Sequence, residues 1–306
     1  MKLRQNKLVP LTLEDRPGVA SPPSWSGSGA QEYRELIDRL EAIRTDWLQS
    51  DGHGEPGPIC IALPGAMLGE YAARRDSSRL AKVFSMANHL QSQTDRVIFI
   101  GSSDSHRVIR TFFEACCDPY WNELTRGERG SKPRVYFAGD SIDNDSIQGL
   151  LQLLSADRPA NRHEVYSIGA VSLRSWDNPA GFDVVHRYLH RNLHSTEKEL
   201  LLYECSPSPF SESNESYQII SALLPFTELG MLPAATLGIN IMELLAGASA
   251  VSKLFFSTVG AENPILRWVA WNQLANIRSM AIWNPSLIAG ARWHSHLTQR
   301  LGSVSN

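Results

Sequence analysis

The stretch that decides the fold runs from Asp95 to Ala115 and reads DRVIFIGSSDSHRVIRTFFEA. Its first part, Arg96 to Ile100, is a short apolar run ended by Gly101, which is typical of a buried strand. Small polar residues follow, and then apolar residues recur at helical spacing through Val108, Ile109, Phe112, Phe113 and Ala115. The stretch therefore predicts a strand, a tight loop and a helix.

Two further units of the same kind follow along the chain. The second has a strand at 133–139, a loop with a cap at 140–145 and a helix at 147–154. The third has a strand at 164–169, a polar loop at 170–175 and a helix at 182–193. Strands that alternate with helices at this spacing predict an α/β fold, in which a doubly wound parallel sheet is flanked by helices. The ligand crevice is expected at the carboxyl ends of the strands.

The rest of the chain is largely helical in pattern. Amphipathic or apolar helices are predicted at 31–48, 68–90, 229–245, 264–274 and 287–301. The segment 277–283 is predicted as a lone strand, and a parallel strand needs neighbours to satisfy its backbone groups. We therefore expect a second, incomplete sheet. The patterns predict a division of the chain into a flexible tail at 1–30, a helical segment at 31–94, a first α/β domain at 95–228, and a helical linker with the start of a truncated second domain at 229–306.

Composition and charge exclude several classes of protein. The chain has 306 residues, of which 42% are hydrophobic, and a formal net charge of -3. These values indicate a globular protein. They argue against nucleic acid as a main partner and against a polybasic membrane anchor. No apolar run is long enough for a signal peptide or a spanning helix, so no membrane contact is expected. Four cysteines lack zinc or disulfide spacing and are interpreted as reduced thiols of a cytoplasmic protein: Cys60, Cys116, Cys117 and Cys205.

The loop after the first predicted strand has two interpretations. Ser102, Ser103 and Ser105 stand between a strand and a helix, where backbone N–H groups and the helix dipole favour a phosphate. The same serines also suit a simple helix cap. Asp104 favours the cap, because a carboxylate repels a phosphate dianion. The loop at 170–175 offers hydroxyls and the guanidinium of Arg174, which also suit a phosphate.

The histidines predict no metal site. His186, His190 and His194 share one helix face, but the intervening Arg187 and Arg191 favour a solvated basic face. His294 and His296 are two residues apart and therefore face different directions on a helix. No cysteine or carboxylate completes a ligand set, so neither a metal nor another cofactor is expected. The acidic run Asp143-Asn144-Asp145 is interpreted as a helix cap.

Four strings in the sequence carry a resemblance to a known family. The first, Phe112 to Leu151, reads FFEACCDPYWNELTRGERGSKPRVYFAGDSIDNDSIQGLL. The others are ELGMLPAATLGINIMELLAGASA, NPILRWVAWNQL and IRSMAIWNP. Together they resemble glucose-6-phosphate isomerases, particularly the planctomycete type. The likeness covers most of the chain from about Leu68 onward, in the same order.

The resemblance implies a sugar-isomerase fold and an activity in glycolysis and gluconeogenesis. Such enzymes interconvert glucose 6-phosphate and fructose 6-phosphate without a metal. Moving a proton through an enediolate needs a carboxylate base, a cation for the oxyanion, an acid–base group that opens the ring, and a phosphate cradle. Each of these parts has an expected place in the sequence.

The phosphate and sugar positions of the family are only partly retained. Its Gly-Ile-Gly-Gly-Ser loop falls on 101–105, which keeps the first glycine and the last serine. Its second phosphate loop falls on 170–172, where Val171 replaces the lysine. The resemblance implies five substrate-binding residues: Gly101, Ser103, Ser105, Ser172 and Ser175.

The catalytic positions are not retained. The family's arginine falls on Ala222, and its catalytic glutamate falls on Gln299 or Arg300, so no catalytic residue is identified. The family's ring-opening histidine and late lysine fall beyond Asn306. We therefore expect a catalytically silent relative, a pseudoenzyme, that binds a sugar phosphate or serves as a scaffold. As a scaffold it would form a homodimer or pair with a complete isomerase. An active glucose-6-phosphate isomerase and a truncated, non-functional scaffold are the alternatives.

Overall fold

The computed structural model describes residues 28–49, 56–141, 143–156, 168–173, 187, 191, 200–205, 224–274 and 284–302. Within these ranges the strands are β1 (Arg96–Ile100), β2 (Arg134–Ala138), β3 (Ile168–Leu173) and β4 (Leu200–Cys205). The helices are α1 (Ser28–Gln49), α2 (Pro56–Arg74), α3 (Arg79–Gln93), α4 (Ser103–Cys116), α5 (Asn144–Ala156), α6 (Glu228–Thr236), α7 (Ile241–Ser257), α8 (Pro264–Leu274) and α9 (Ile288–Gly302).

The chain divides into two compact units. The first comprises residues 1–62 and 247–280, and its apolar core joins α1, α7 and α8. Arg44 of α1 is 4% exposed and donates to Glu41 and to the carbonyl of Phe256, 2.7 Å away. The hydrogen bond from Arg44 lowers the pKa of Glu41. The buried members of this core are Leu36, Ile37, Phe255, Leu266 and Ala270.

The second unit comprises residues 63–246 and 281–306 and holds the sheet. The strand order is β2-β1-β3-β4, and every pairing is parallel. Each residue of β1 is buried, as expected for a strand with neighbours on both sides and helices over its faces. The predicted α/β fold with a parallel sheet is thus confirmed. Because β2 and β3 lie on opposite sides of β1, the strand order reverses there, and open α/β sheets bind ligands at such a point.

The third predicted strand is displaced along the chain. The sequence placed it at 164–169 and a polar loop at 170–175, but β3 spans Ile168–Leu173. The prediction of a loop at 170–173 is therefore wrong. Val171 and Leu173 continue the apolar run after Gly169, and no strand-breaking residue follows it. Ser172 is therefore part of β3, where it pairs with Ile100. The fourth strand, LLLYEC, was not predicted, and residues 164–167 lie outside the described residues.

Two predicted helices are divided in the structure. The helix predicted at 68–90 is interrupted after α2, where Arg75 has a φ of 40° and the hydroxyl of Ser78 accepts from the Ala81 N–H to begin α3. The helix predicted at 229–245 is divided at Gly238, whose φ is 81°. A local cap and a left-handed glycine outweigh a continuous apolar pattern in these places. The predicted helix at 264–274 is confirmed as α8, and that at 287–301 as α9.

Several predictions fall on residues outside the described ranges. These are residues 1–27 of the tail predicted at 1–30, the strand at 277–283 and the helix at 182–193 apart from two residues. Those two, Arg187 and Arg191, are exposed, as a solvated basic face requires. The last three residues predicted as tail, 28–30, belong to α1. The domain boundaries, the doubly wound arrangement and the incomplete second sheet stay predictions. Among the described helices, none has the length and apolar character to cross a membrane.

A buried ion cluster holds the amino-terminal end of β1. Asp95, just before the strand, accepts from Arg126 at 3.4 Å, Arg129 at 3.0 Å and Arg134 at 2.8 Å. The arginines also donate to backbone carbonyls, those of Gln91 and Thr94 among them. We call these four charged residues the amino-edge cluster. Three cations around one carboxylate tie the loop at 124–132 to the sheet.

Candidate functional site at the carboxyl edge of the sheet

The carboxyl edge of β1 and β2 carries a set of polar side chains. We use this name for Gly101–His106, which follow β1, and for Gly139–Asp140, which follow β2. The N–H of Gly101 donates to the carbonyl of Ala138 at 3.0 Å, so the two segments begin side by side. Gly139 has a φ of 99°, and a Cβ there would lie 3.1 Å from Ile100 Cγ2. A glycine is therefore required where the two loops approach.

The serines of this edge cap α4. The hydroxyl of Ser102 accepts from the Ser105 N–H at 3.4 Å, and the Ser102 carbonyl accepts from the His106 N–H at 3.0 Å. Ser102 and Ser105 are buried, whereas Ser103 is exposed at the first position of the helix. The capping interpretation accounts for Ser102 and Ser105. Of the three, Ser103 is the one that faces solvent.

The predicted substrate-binding residues are brought together only in part. Gly101 follows Ile100, which pairs with Ser172, so these positions lie at neighbouring strand ends. Ser103 and Ser105 stand on the first turn of α4. Ser175 lies outside the described residues, as does Ala222. Nothing in the described ranges tests whether any of the five positions binds a ligand.

Asp104 is buried and paired with a histidine from α9. It is 7% exposed, and its Oδ1 lies 2.8 Å from Nε2 of His296. Sequence patterns assigned His296 no contact, and in the structure α9 brings it against the first turn of α4. Sequence spacing alone links no residue of α9 to one of α4. His294 is half-buried, and burial lowers its pKa.

A second imidazole–carboxylate pair lies on the other side of the first turn of α4. His106 is 3% exposed, and its Nδ1 lies 3.6 Å from Oδ2 of Asp140. Its ring meets that of Phe137 edge to face, with centroids 5.2 Å apart, and Arg110 covers Phe137 at 4.5 Å. The interaction with His106 lowers the pKa of Asp140. This pair was not identified from the sequence, although a histidine on the first turn of a helix that follows a buried strand was a visible sign.

Helix α9 extends beyond the carboxyl edge. Gly290 packs against Thr111 near the end of α4, and His296 meets Asp104 near its start, so the two helices are antiparallel. Gln299 and Arg300 follow His296 by three and four residues in α9. At a rise of about 1.5 Å per residue their backbone stands roughly 5 Å farther along the helix. The resemblance places the family's base on one of these two residues.

The arrangement offers hydrogen bonding to a polar ligand. An imidazole ring presents nitrogens that donate or accept hydrogen bonds, and each carboxylate accepts from hydroxyl or cationic donors. Asp143 caps α5, since its side chain accepts from the Asp145 N–H at 3.2 Å, as predicted. Among the described residues no group of three or more histidine, cysteine or acidic side chains is arranged to hold a metal.

The two cysteines at the end of α4 are not activated as nucleophiles. Cys116 is exposed, and burial raises the pKa of the neighbouring Cys117 thiol to about 12. A thiol with a raised pKa is a poor nucleophile because little thiolate is present. Neither of these two thiols is suited to act as a nucleophile at the candidate site.

Comparison with known proteins finds distant relatives. No family model matches the chain. It is 25% identical over 240 residues to "Glucose-6-phosphate isomerase" of Caldanaerobacter subterraneus subsp. tengcongensis, and 23% identical over 243 residues to the protein of that name from Bacillus cereus strain AH187. Each match covers 72% of this chain and 52% of the relative. The chain thus spans about half the length of the curated relatives it matches.

A solved structure shares the fold. The crystal structure of a hypothetical protein from Thermus thermophilus matches with a TM-score of 0.51 at 16% identity, over 80% of this chain and 55% of that one. A likeness at this identity concerns the fold alone. The sequence matches confirm the predicted resemblance: the chain is similar, as a divergent and partial match, to proteins named glucose-6-phosphate isomerase.

Proposed function

We propose that this chain is an isomerase-like protein that binds a sugar phosphate at the carboxyl edge and does not interconvert glucose 6-phosphate and fructose 6-phosphate. The support for a sugar phosphate comes from the similarity to glucose-6-phosphate isomerases. The support for a lack of catalytic activity comes from the residues at the positions where the resemblance places the catalytic groups.

One observation carries the proposal. The resemblance places the catalytic carboxylate on Gln299 or Arg300, in the same helix α9 whose His296 lies 2.8 Å from Asp104. A glutamine amide has no basic atom suited to proton abstraction, and an arginine stays protonated at any physiological pH. Neither residue removes a proton from the carbon next to a carbonyl. Losing an acid–base group lowers a rate by a factor of about 100 to 10,000.

The cation for the developing oxyanion is also absent from its family position. Ala222 stands where the resemblance places the arginine, and Val171 stands where it places the phosphate-binding lysine. Removing one stabilising donor lowers a rate by a factor of about 100 to 1,000. The two losses act on one transition state, so their effects do not simply multiply, but together they leave little turnover.

Binding has modest support from the geometry. The exposed Ser103 and the amino terminus of α4 offer donors to a phosphate. Asp104 stands on the same turn and opposes the dianion, although its pairing with His296 offsets part of its charge when the imidazole is protonated. We therefore expect weak binding of fructose 6-phosphate rather than tight binding.

An active isomerase is the second candidate. The pairs Asp104–His296 and His106–Asp140 are acid–base groups at the edge where the substrate is expected. They favour this candidate because isomerisation needs proton transfer.

Two measurements on the purified chain test the proposal. Coupled detection of glucose 6-phosphate formed from fructose 6-phosphate, at high protein concentration, is expected to show no turnover above a heat-treated control. Titration with fructose 6-phosphate is expected to raise the melting temperature in a concentration-dependent way. Turnover supports the active isomerase, and an unchanged melting temperature supports the non-functional scaffold.

A further inference from the structure

His106 is a buried polar side chain that the described part of the fold leaves without hydrogen bonds. It is 3% exposed, and neither ring nitrogen has a hydrogen-bond partner among the described residues. An apolar ring would pack against Phe137 without leaving buried polar atoms unpaired. Burying an unsatisfied polar group costs stability. Such groups are retained in native proteins mostly for a role other than packing.

The carboxylate of Asp140 lies close to the imidazole. The 3.6 Å between Nδ1 and Oδ2 is too long for a good hydrogen bond but short enough for electrostatic attraction. The side chain of Asp140 is 47% exposed, so one face of the carboxylate meets solvent while the other meets His106. The left-handed Gly139 holds this arrangement in place.

Asp140 lies beside the candidate phosphate position rather than in it. His106 stands two residues beyond Asp104 on α4, and residues two apart on a helix face different directions. Asp104 accordingly meets α9, whereas His106 meets the end of β2. The amino terminus of α4 lies between the two pairs. A ligand with its phosphate at this helix end can extend its sugar toward β2.

We propose that Asp140, positioned by His106, accepts hydrogen bonds from the hydroxyl groups of the sugar part of the ligand. This inference rests on the proposed sugar-phosphate site. A carboxylate suits the task because its two oxygens accept from neighbouring hydroxyls at once. Asp140 is the group that touches the ligand, and His106 is a positioning residue that acts through it. The charged groups that face Asp140 within the described ranges are His106 and Arg110.

Calorimetric titration of four proteins with three probes tests the inference. The proteins are the wild type, Asp140→Asn, His106→Phe and the control Asp145→Asn, which changes an exposed carboxylate on the first turn of α5. The probes are fructose 6-phosphate, D-fructose and inorganic phosphate. Asp140→Asn is expected to weaken fructose 6-phosphate binding about tenfold, as loss of charged hydrogen bonds does. Inorganic phosphate has no sugar hydroxyls, so its affinity is expected to stay within about twofold, and Asp145→Asn is expected to match the wild type throughout.

The variant His106→Phe separates positioning from packing. We expect its melting temperature to stay close to that of the wild type, because removal of an unsatisfied buried group offsets the lost attraction to Asp140. Binding of fructose 6-phosphate needs the charged carboxylate and is lost as pH falls through the pKa of Asp140. Because His106 lowers the pKa of Asp140, His106→Phe is expected to raise that pKa. The midpoint, the pH at which half of the fructose 6-phosphate binding is lost, should therefore rise. A purely structural role for His106 predicts a lower melting temperature and an unmoved midpoint.

The outcomes distinguish the two proposals. Wild-type affinity for fructose 6-phosphate in Asp140→Asn overturns the inference and leaves the sugar-phosphate site standing. An equal loss for inorganic phosphate also overturns it, since the carboxylate would then act on the phosphate or on the fold. Binding of D-fructose that needs Asp140, without any binding of inorganic phosphate, supports the inference and contradicts the phosphate site. No binding of any probe to the wild type overturns both.

Discussion

The two ends of the central sheet differ in how their charged groups are paired. At the amino end, Asp95 accepts from three arginines, and these arginines also bond to backbone carbonyls. At the carboxyl end, His106 is buried with neither ring nitrogen bonded to a described residue, and Asp104 reaches across to α9 for its partner. The string Phe112 to Leu151, which resembles the isomerase family, contains the three arginines of the amino end and also Gly139 and Asp140 of the carboxyl end. The loop at 101–105 lies outside that string and keeps only the first glycine and the last serine of the family's pattern. We therefore expect the amino end to serve mainly stability and the carboxyl end to serve ligand binding.

The largest expected effect is at the amino end. Asp95→Ala leaves Arg129, whose side chain is wholly buried, without its carboxylate. Removing one partner of a buried ion pair costs about 3–5 kcal/mol in the free energy of unfolding. Urea unfolding measures the loss, and the exposed Asp76→Ala is the control. A loss under about 1 kcal/mol would mean that the amino-edge cluster does not hold the sheet.

The next effect is at the junction of the two carboxyl-edge loops. Gly139→Ala places a Cβ at a φ of 99° and within 3.1 Å of Ile100 Cγ2, so it is expected to cost about 1–3 kcal/mol. Gly149→Ala is the matched control, because no atom lies within 4 Å of the new Cβ on helix α5. That control is expected to gain about 0.5–1 kcal/mol. Equal unfolding midpoints for the two variants would show that the loops do not need this close approach.

A smaller effect is expected on anion binding. Asp104→Gly removes a carboxylate from the first turn of α4 and releases His296. Affinity for inorganic phosphate is expected to rise about fivefold, the size of a charge effect at a helix end. Asp104→Asn removes the charge but keeps the shape, and should give a similar rise. An unchanged affinity in both variants would place the phosphate away from this loop.

The smallest expected effect is the acid dependence of stability. The folded pKa of Asp140 is lowered, so its contribution is present above the unfolded value of about 4 and is lost as pH falls through the folded pKa. The difference in unfolding free energy between wild type and Asp140→Asn should therefore narrow below about pH 4. Urea midpoints between pH 3 and 7 measure it. A difference that widens toward acid would contradict the pairing with His106.

Local sequence patterns predicted most of the described elements but not how they meet. The run Arg96–Ile100 and the helix after it follow from apolar spacing, and both are present. The third strand was misplaced because Ser172, which lies in β3, is of a residue type that is common in loops. The Asp104–His296 contact joins positions 192 apart, and no periodicity links them. The pair His106–Asp140 depends on the register of β1 with β2, which only the folded sheet fixes.

We propose that this chain keeps the parallel sheet and lacks the isomerase chemistry, and a coupled assay can decide this. The chain is incubated at high concentration with fructose 6-phosphate, and glucose 6-phosphate is detected by a coupled dehydrogenase beside a complete glucose-6-phosphate isomerase. We predict a rate equal to that of the heat-treated chain while the complete enzyme turns over. A rate that rises in proportion to the concentration of this chain, and disappears on heating, would contradict the claim.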